Sequence, residues 1–272
     1  MTIVTDKNMK IDKPLVVAYG GGTNSVAMLC GFRERGIIPS LIIFADTGGE
    51  LPYTYSHIKL MSEKCQEWWG IGIEIVSKKY QGEFEGLEGE CIRRKQLPSL
   101  AYGFKACSMK YKQEPQQKRI REWMDQNSVK EIIQAIGYDS NEGHRAVKIE
   151  GTDLKKGRRT FNWFPLIEWQ WTRKDCIETV IKNNLPQAGK SSCFFCPAMK
   201  NHEILKLRKD YPEYFERAIK IETNCNVKGP KEGLRFGTKW SDIVEADDDQ
   251  LKLFQWLDEH DPHPIPCGCY DG

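Results

Sequence analysis

Cys193-Phe194-Phe195-Cys196-Pro197 sets two thiols two residues apart on a turn, a spacing at which both sulfurs can face one metal ion. Read alone, the pair serves as a redox dithiol, as half of a metal site or as an inert pair. The tail carries a second pair, Cys267-Gly268-Cys269, whose glycine-flanked thiols are poorly explained as core. A four-sulfur site could therefore be closed by Cys193, Cys196, Cys267 and Cys269, and all-sulfur ligation fits either zinc or a [4Fe-4S] cluster. Ten cysteines in all are many for a reducing compartment, where disulfides rarely persist. Cys30, Cys65 and Cys176 fall within helical apolar patterns and read as small buried hydrophobes.

A second group of residues suits anion binding. Gly20-Gly21-Gly22-Thr23-Asn24-Ser25 follows the short apolar run Leu15–Tyr19 and opens a helical pattern with Val26, Leu29 and Cys30 on one face. Three glycines let backbone N–H groups approach an anion at the positive end of a helix, and Ser25 adds a hydroxyl. The loop is neither a Walker A sequence, which needs Gly-Lys-Ser/Thr, nor a dinucleotide fingerprint. A second strand, Leu41 to Phe44, ends in Asp46-Thr47-Gly48-Gly49-Glu50, which brings a carboxylate and a hydroxyl to the neighbouring turn.

The elements that position these loops alternate in type. Strands at 72–76 and 131–136 alternate with helices through Tyr55–Cys65, near 84–97 and at 115–126, so the pattern predicts an α/β fold, a doubly wound and mainly parallel sheet. Lys155 to Arg159 reads as an exposed hairpin or loop tip before the aromatic segment Phe161–Leu166. Further helices are expected at 172–183 and, unbroken, at 201–222. Residues 1–190 form the expected nucleotide-binding domain and 191–272 a helical, cysteine-containing appendage packed on it. Of 272 residues, 40 basic side chains against 38 acidic leave a charge of +2, so no global field points to nucleic acid or membrane. The N-terminus lacks an apolar signal-peptide core and no run approaches membrane-spanning length, so a cytoplasmic location is expected. The basic clusters Arg93–Lys95, Lys118–Arg121 and Lys155–Arg159 read mainly as solvated faces. Lys112 and Arg145 are the better phosphate candidates, and Trp68, Trp69, Trp163, Trp169 and Trp171 read as core.

Together the two loops resemble those of the PP-loop ATP pyrophosphatases, or adenine nucleotide α-hydrolases, and within them the phosphoadenosine phosphosulfate (PAPS) reductase-like family. Gly137-Tyr138-Asp139-Ser140-Asn141-Glu142 with Arg145 is similar to the family's third motif, and Pro165–Trp169 with Leu185-Pro186 to the segment before its cysteine pair. The likeness covers about residues 14 to 222. It implies that Gly20, Gly21, Gly22, Thr23, Asn24, Ser25, Asp46, Thr47, Gly48, Glu50, Gly137, Asp139, Glu142 and Arg145 hold ATP or a nucleotide of the APS/PAPS type. The chain departs from the family at Gly20, where serine is usual, and at Asn24, where many members have aspartate. A neutral amide cannot help neutralise an accompanying Mg²⁺.

Cys107, in Ala106–Pro115, resembles the place where iron–sulfur members carry a cysteine pair, so the preferred metal set becomes Cys107, Cys193, Cys196 and one tail thiol, Cys269 or Cys267, around iron and sulfur rather than zinc. The resemblance also implies a nucleophile near the C-terminus, Cys267 or Cys269, with Lys112 as a further catalytic group. The activity so implied moves sulfur or electrons from an adenylyl-sulfate-type nucleotide through the cysteine site. An ATP pyrophosphatase that adenylates an acceptor in DNA, RNA or a base, and a nucleotide-binding protein without catalysis, are the alternatives. Expected partners are the nucleotide, a thiol electron donor or sulfur donor protein, and a second copy in a homodimer.

Overall fold

The computed structural model describes residues 12–147, 159–189, 191–226 and 233–245. Five strands, β1 (Leu15–Tyr19), β2 (Leu41–Asp46), β3 (Ile73–Ser77), β6 (Glu131–Ile136) and β7 (Arg159–Trp163), form one sheet in the order β3-β2-β1-β6-β7. Every pairing in it is parallel. Two short strands, β4 (Lys79–Tyr80) and β5 (Glu83–Phe84), make a separate hairpin.

The all-apolar composition of β1 follows from burial on both faces. Leu15, Val17 and Tyr19 pack into a cluster with α1 (Thr23–Glu34), α2 (Pro52–Trp69) and α8 (Arg173–Lys182), whereas Val16 points to the other side, against Ile120 and Met124 of α5 (Glu114–Gln126). The expected doubly wound α/β architecture is thus present. Cys30, Cys65 and Cys176 are wholly buried in the first cluster, and burial pushes each thiol up to about 12. Trp163 is buried there too, and Trp68, Trp69, Trp169 and Trp171 are partly buried against the same cluster.

The remaining helices are α3 (Gly86–Arg94), α4 (Ala106–Ser108), α6 (Gly143–Val147), α7 (Pro165–Glu168), α9 (Asn201–Asp210), α10 (Pro212–Thr223) and α11 (Trp240–Glu245). A second apolar cluster joins α9, α10 and α11 to Leu87, Cys91, Leu100 and Tyr111, with Cys193 and Cys196 inside it. Two expectations change. The single helix over 201–222 is two helices, because Pro212 has no N–H to donate and forces Tyr211 out of helical geometry (φ −140°, ψ 64°). The segment 159–163, placed by sequence at the end of an exposed hairpin or loop tip and in an aromatic stretch, is edge strand β7, paired along β6 from Glu131↔Arg159 to Ala135↔Trp163. Among the described residues no helix is long and apolar enough to cross a membrane.

Candidate active site

The chain runs outward from β1 to β2 and β3, then returns to place β6 on the other side of β1. The C-terminal ends of β1 and β6 are therefore a topological switch point, where open α/β sheets bind ligands. Gly20 to Ser25 leaves β1 at this point. Gly21 has φ +76°, a left-handed conformation that suits glycine, and Gly22 caps α1 without any side-chain hydrogen bond to the first turn. The opening N–H groups of α1 thus have no side-chain acceptor at the cap, which is the arrangement an anion satisfies. Gly137, just beyond β6, lies under that turn: a Cβ there would stand 3.3 Å from the backbone N and Cα of Ser25.

Side chains from two distant segments, 139–142 and α8, converge on Asn24. Its carbonyl oxygen accepts from Arg173 Nη1 at 2.7 Å, and its amide donates to Asp139 Oδ2 at 3.1 Å and to Glu142 Oε2 at 3.2 Å. Arg145 pairs with Glu142 and stacks over the Tyr138 ring, 4.1 Å from its centroid. Only an amide both accepts from a guanidinium and donates to two carboxylates, so the neutral residue at position 24 is matched to its surroundings. Thr23 is likewise engaged, donating to Ala188 O at 3.3 Å and accepting from Arg173 Nη2 at 3.2 Å. Ser25 Oγ donates to Gly22 O at 2.8 Å. The side chains of the loop hold its shape, which leaves its backbone N–H groups as the donors open to an anion.

The second loop is more enclosed. Asp46 Oδ1 accepts from Gly48 N at 2.7 Å and from the Tyr55 hydroxyl at 2.9 Å. Glu50 is 2% exposed and accepts from Thr47 Oγ1 at 2.9 Å and Gly49 N at 3.1 Å. Burial is the main reason its carboxyl is raised to about 7; buried Lys112 opposes the shift, and the adjoining Asp46 carboxylate adds to it. Lys112 sits in a π-helical turn, Met109–Gln113, between α4 and α5.

The Cys-x-x-Cys turn is seated on this loop. Thr47 Oγ1 lies 3.1 Å from Cys193 Sγ, Phe194 N donates to Gly49 O at 2.7 Å, and a Cβ on Gly49 would stand 2.9 Å from Cys193 Cβ. Cys193 and Cys196 are both buried.

Cys107 is placed differently from the expectation. It lines a cavity of about 170 Å³ with Cys91 and Tyr111, and among the described residues no three His, Cys, Asp or Glu side chains gather in a way that could hold a metal ion. Cys107 lies beside Cys91 of α3 and is not gathered with Cys193 and Cys196 among the described residues. Cys267 and Cys269 lie outside the described residues, as does most of Lys155 to Arg159. The described residues offer the two buried thiols of Cys193 and Cys196 and do not by themselves fit a four-sulfur group.

Sequence reasoning missed Arg173, Tyr55 and the serines before Cys193. The helix start at Thr172 is legible as a capping box with Asp175, but the reach of Arg173 to a loop 149 residues earlier is tertiary.

No protein-family model matches the chain. Over 218 residues, 76% of its length, it is 25% identical to protein MJ0066 of Methanocaldococcus jannaschii, covering 41% of that protein. Over 210 residues, 74% of its length, it is 26% identical to protein MJ0973 of the same organism, covering 46%. The chain therefore spans less than half the length of these relatives. Among solved structures, the U34-tRNA thiolase NcsA from Methanococcus maripaludis, with its [4Fe-4S] cluster, overlaps 81% of this chain and 75% of its own at a TM-score of 0.47 and 15% identity.

Proposed function

We propose that the chain is an enzyme of the adenine nucleotide α-hydrolase type that binds an adenylyl-sulfate-type nucleotide at the ends of β1, β2 and β6 and moves its sulfur through cysteine. The observation that carries this reading is the 3.1 Å contact between Thr47 and Cys193, which seats a buried thiol pair on the loop beside the glycine turn. Phosphates meet the uncapped N-terminus of α1, and Lys112 supplies the buried positive charge near the second loop.

In the reaction so proposed, a thiolate of Cys267 or Cys269 attacks the sulfuryl sulfur. A sulfur–sulfur bond forms, the sulfur–oxygen bond to the nucleotide breaks, and the nucleotide leaves with the electron pair. A thiol of a donor protein then displaces sulfite, leaving a disulfide as the oxidised product. No step is routed through a metal group.

The test is titration of the full chain with ATP, APS and PAPS, followed by assay of sulfite release in the presence of dithiol. Saturable binding with sulfite release from APS or PAPS is expected, and so is its loss in the Cys267→Ser, Cys269→Ser double variant with nucleotide still bound. Absence of binding to all three nucleotides would remove the reading.

A second reading rests on the neighbouring Asp46 and Glu50 carboxyls, a pair suited to a Mg²⁺–ATP complex. It would have the chain adenylate an acceptor, and pyrophosphate release from ATP without sulfite release from APS or PAPS would select it.

A further inference from the structure

Arg173, the first residue of α8, brings an exposed side chain to the opening turn of α1. The start of α8 is fixed by a capping box, in which the Asp175 carboxylate accepts from Thr172 N at 2.7 Å and from the Thr172 hydroxyl at 2.6 Å. The carboxylate nearest to Arg173 in sequence is therefore engaged with the cap. The guanidinium donates instead to two neutral oxygens, Asn24 Oδ1 at 2.7 Å and Thr23 Oγ1 at 3.2 Å. It has more N–H donors than these contacts use, and among the described residues no carboxylate pairs with it. Thr23 and Asn24 are the first two residues of α1, so the remaining donors lie beside the backbone N–H groups that open the helix.

The carboxylates of the crevice meet the other end of the same amide. Asn24 Nδ2 donates to Asp139 Oδ2 and Glu142 Oε2, Asp139 Oδ1 accepts from Asn141 N at 3.0 Å, and Glu142 Oε1 pairs with Arg145. Every oxygen of the two carboxylates thus already faces a protein donor. Mg²⁺ requires a near-octahedral set of oxygens at about 2.0–2.1 Å. Coordination by this pair would set the dication against the Asn24 amide hydrogens and the Arg145 guanidinium unless both swing away, and turning the amide would break its bond to Arg173. Asp139 and Glu142 therefore do not fit the Mg²⁺ that the resemblance implies. Asn24 instead keeps cation and anions apart: an aspartate in its place would pair with Arg173, whereas the amide leaves that charge for a ligand.

We propose that the nucleotide is bound without Mg²⁺, with an anionic phosphate or sulfate group meeting Arg173, which Asn24 holds apart from Asp139 and Glu142. This inference rests on the nucleotide reading above and states how that site meets the charge of its ligand.

The test is isothermal titration of the full chain with ATP, APS, PAPS and inorganic pyrophosphate, each in EDTA and in millimolar Mg²⁺, with melting temperatures to verify that each variant is folded. At least one nucleotide is expected to bind saturably in EDTA, with an affinity that Mg²⁺ raises less than threefold. In EDTA, Arg173→Gln, which can still donate to Asn24 but carries no charge, should weaken binding about tenfold, and Arg173→Lys should lie between it and the parent. Asn24→Asp should weaken binding comparably in EDTA and regain it with Mg²⁺. The inference is overturned, with the nucleotide reading left standing, if Mg²⁺ raises the affinity of every nucleotide that binds threefold or more, as a metal held by Asp46 and Glu50 would require, or if Arg173→Gln costs less than threefold. Pyrophosphate binding that depends on Arg173 in a chain that binds no nucleotide would uphold the anion contact and remove the adenine reading instead. Binding of no probe in either buffer removes both.

Discussion

Thr47 Oγ1 lies 3.1 Å from Cys193 Sγ although 146 residues separate them, and the same hydroxyl donates to Glu50. One side chain therefore ties the thiol turn, the buried carboxyl and the end of β2 together. Thr47→Val keeps the shape and removes the hydroxyl, leaving Glu50 and Gly49 N short of a partner. A loss of about 1–3 kcal/mol is expected in urea unfolding, with Thr47→Ser close to the parent. Equal losses in both variants would deny the hydroxyl this part.

Glu50 should make stability depend on pH in a defined sense. Its folded carboxyl titrates near 7 against an ordinary value of 4.5, so the neutral form is favoured in the fold. The contribution is full below pH 4.5 and is lost as pH rises through 7. Glu50→Gln, whose amide can still donate toward Asp46, should match the parent at pH 4.5 and exceed it at pH 8 by about 3 kcal/mol, the equivalent of the shift. Unfolding curves at the two pH values check this; a difference that is flat or reversed with pH refutes it.

Asn24→Asp should destabilise the fold despite the common aspartate of the family the chain resembles. The new carboxylate keeps Arg173 but confronts Asp139 and Glu142, where the amide donated two hydrogen bonds. A loss of about 1–3 kcal/mol is expected, partly recovered by millimolar Mg²⁺, since three carboxylates would then converge. Differential scanning fluorimetry with and without Mg²⁺ reads both effects, and an unchanged melting temperature would contradict them.

Gly49→Ala tests the seating of the thiol turn. The added methyl would stand 2.9 Å from Cys193 Cβ and from the Phe195 ring, so the turn must lift from the loop. Cys193 and Cys196 should then react with a thiol reagent at least several-fold faster than in the parent, with α1 and its glycine turn intact. Reaction kinetics followed by peptide mapping give the answer, and unchanged protection would show that the neighbours absorb the methyl.

What was legible in the sequence was whatever neighbouring residues encode among themselves. The apolar runs at Leu15–Tyr19 and Glu131–Ile136, the glycine turn after β1, the acid-rich turn after β2 and the Cys-x-x-Cys spacing each lie within a few residues, so periodicity and local chemistry declare them. The same local view read 159–163 as loop and aromatic segment, because a short edge strand takes its identity from the partner it pairs with, and it carried one helix through Tyr211-Pro212.

Tertiary structure alone decided which of these pieces touch. That Arg173 reaches Asn24, that Cys193 rests on Thr47 while Cys107 faces Cys91, and that Glu50 is buried beside Asp46 and Lys112 are outcomes of sheet order and helix packing. The physical reason is range: backbone propensity and side-chain patterning act over a turn or a strand. Contacts between residues more than a hundred positions apart are fixed only when the parallel sheet brings its C-terminal edges into line and the second apolar cluster closes over them.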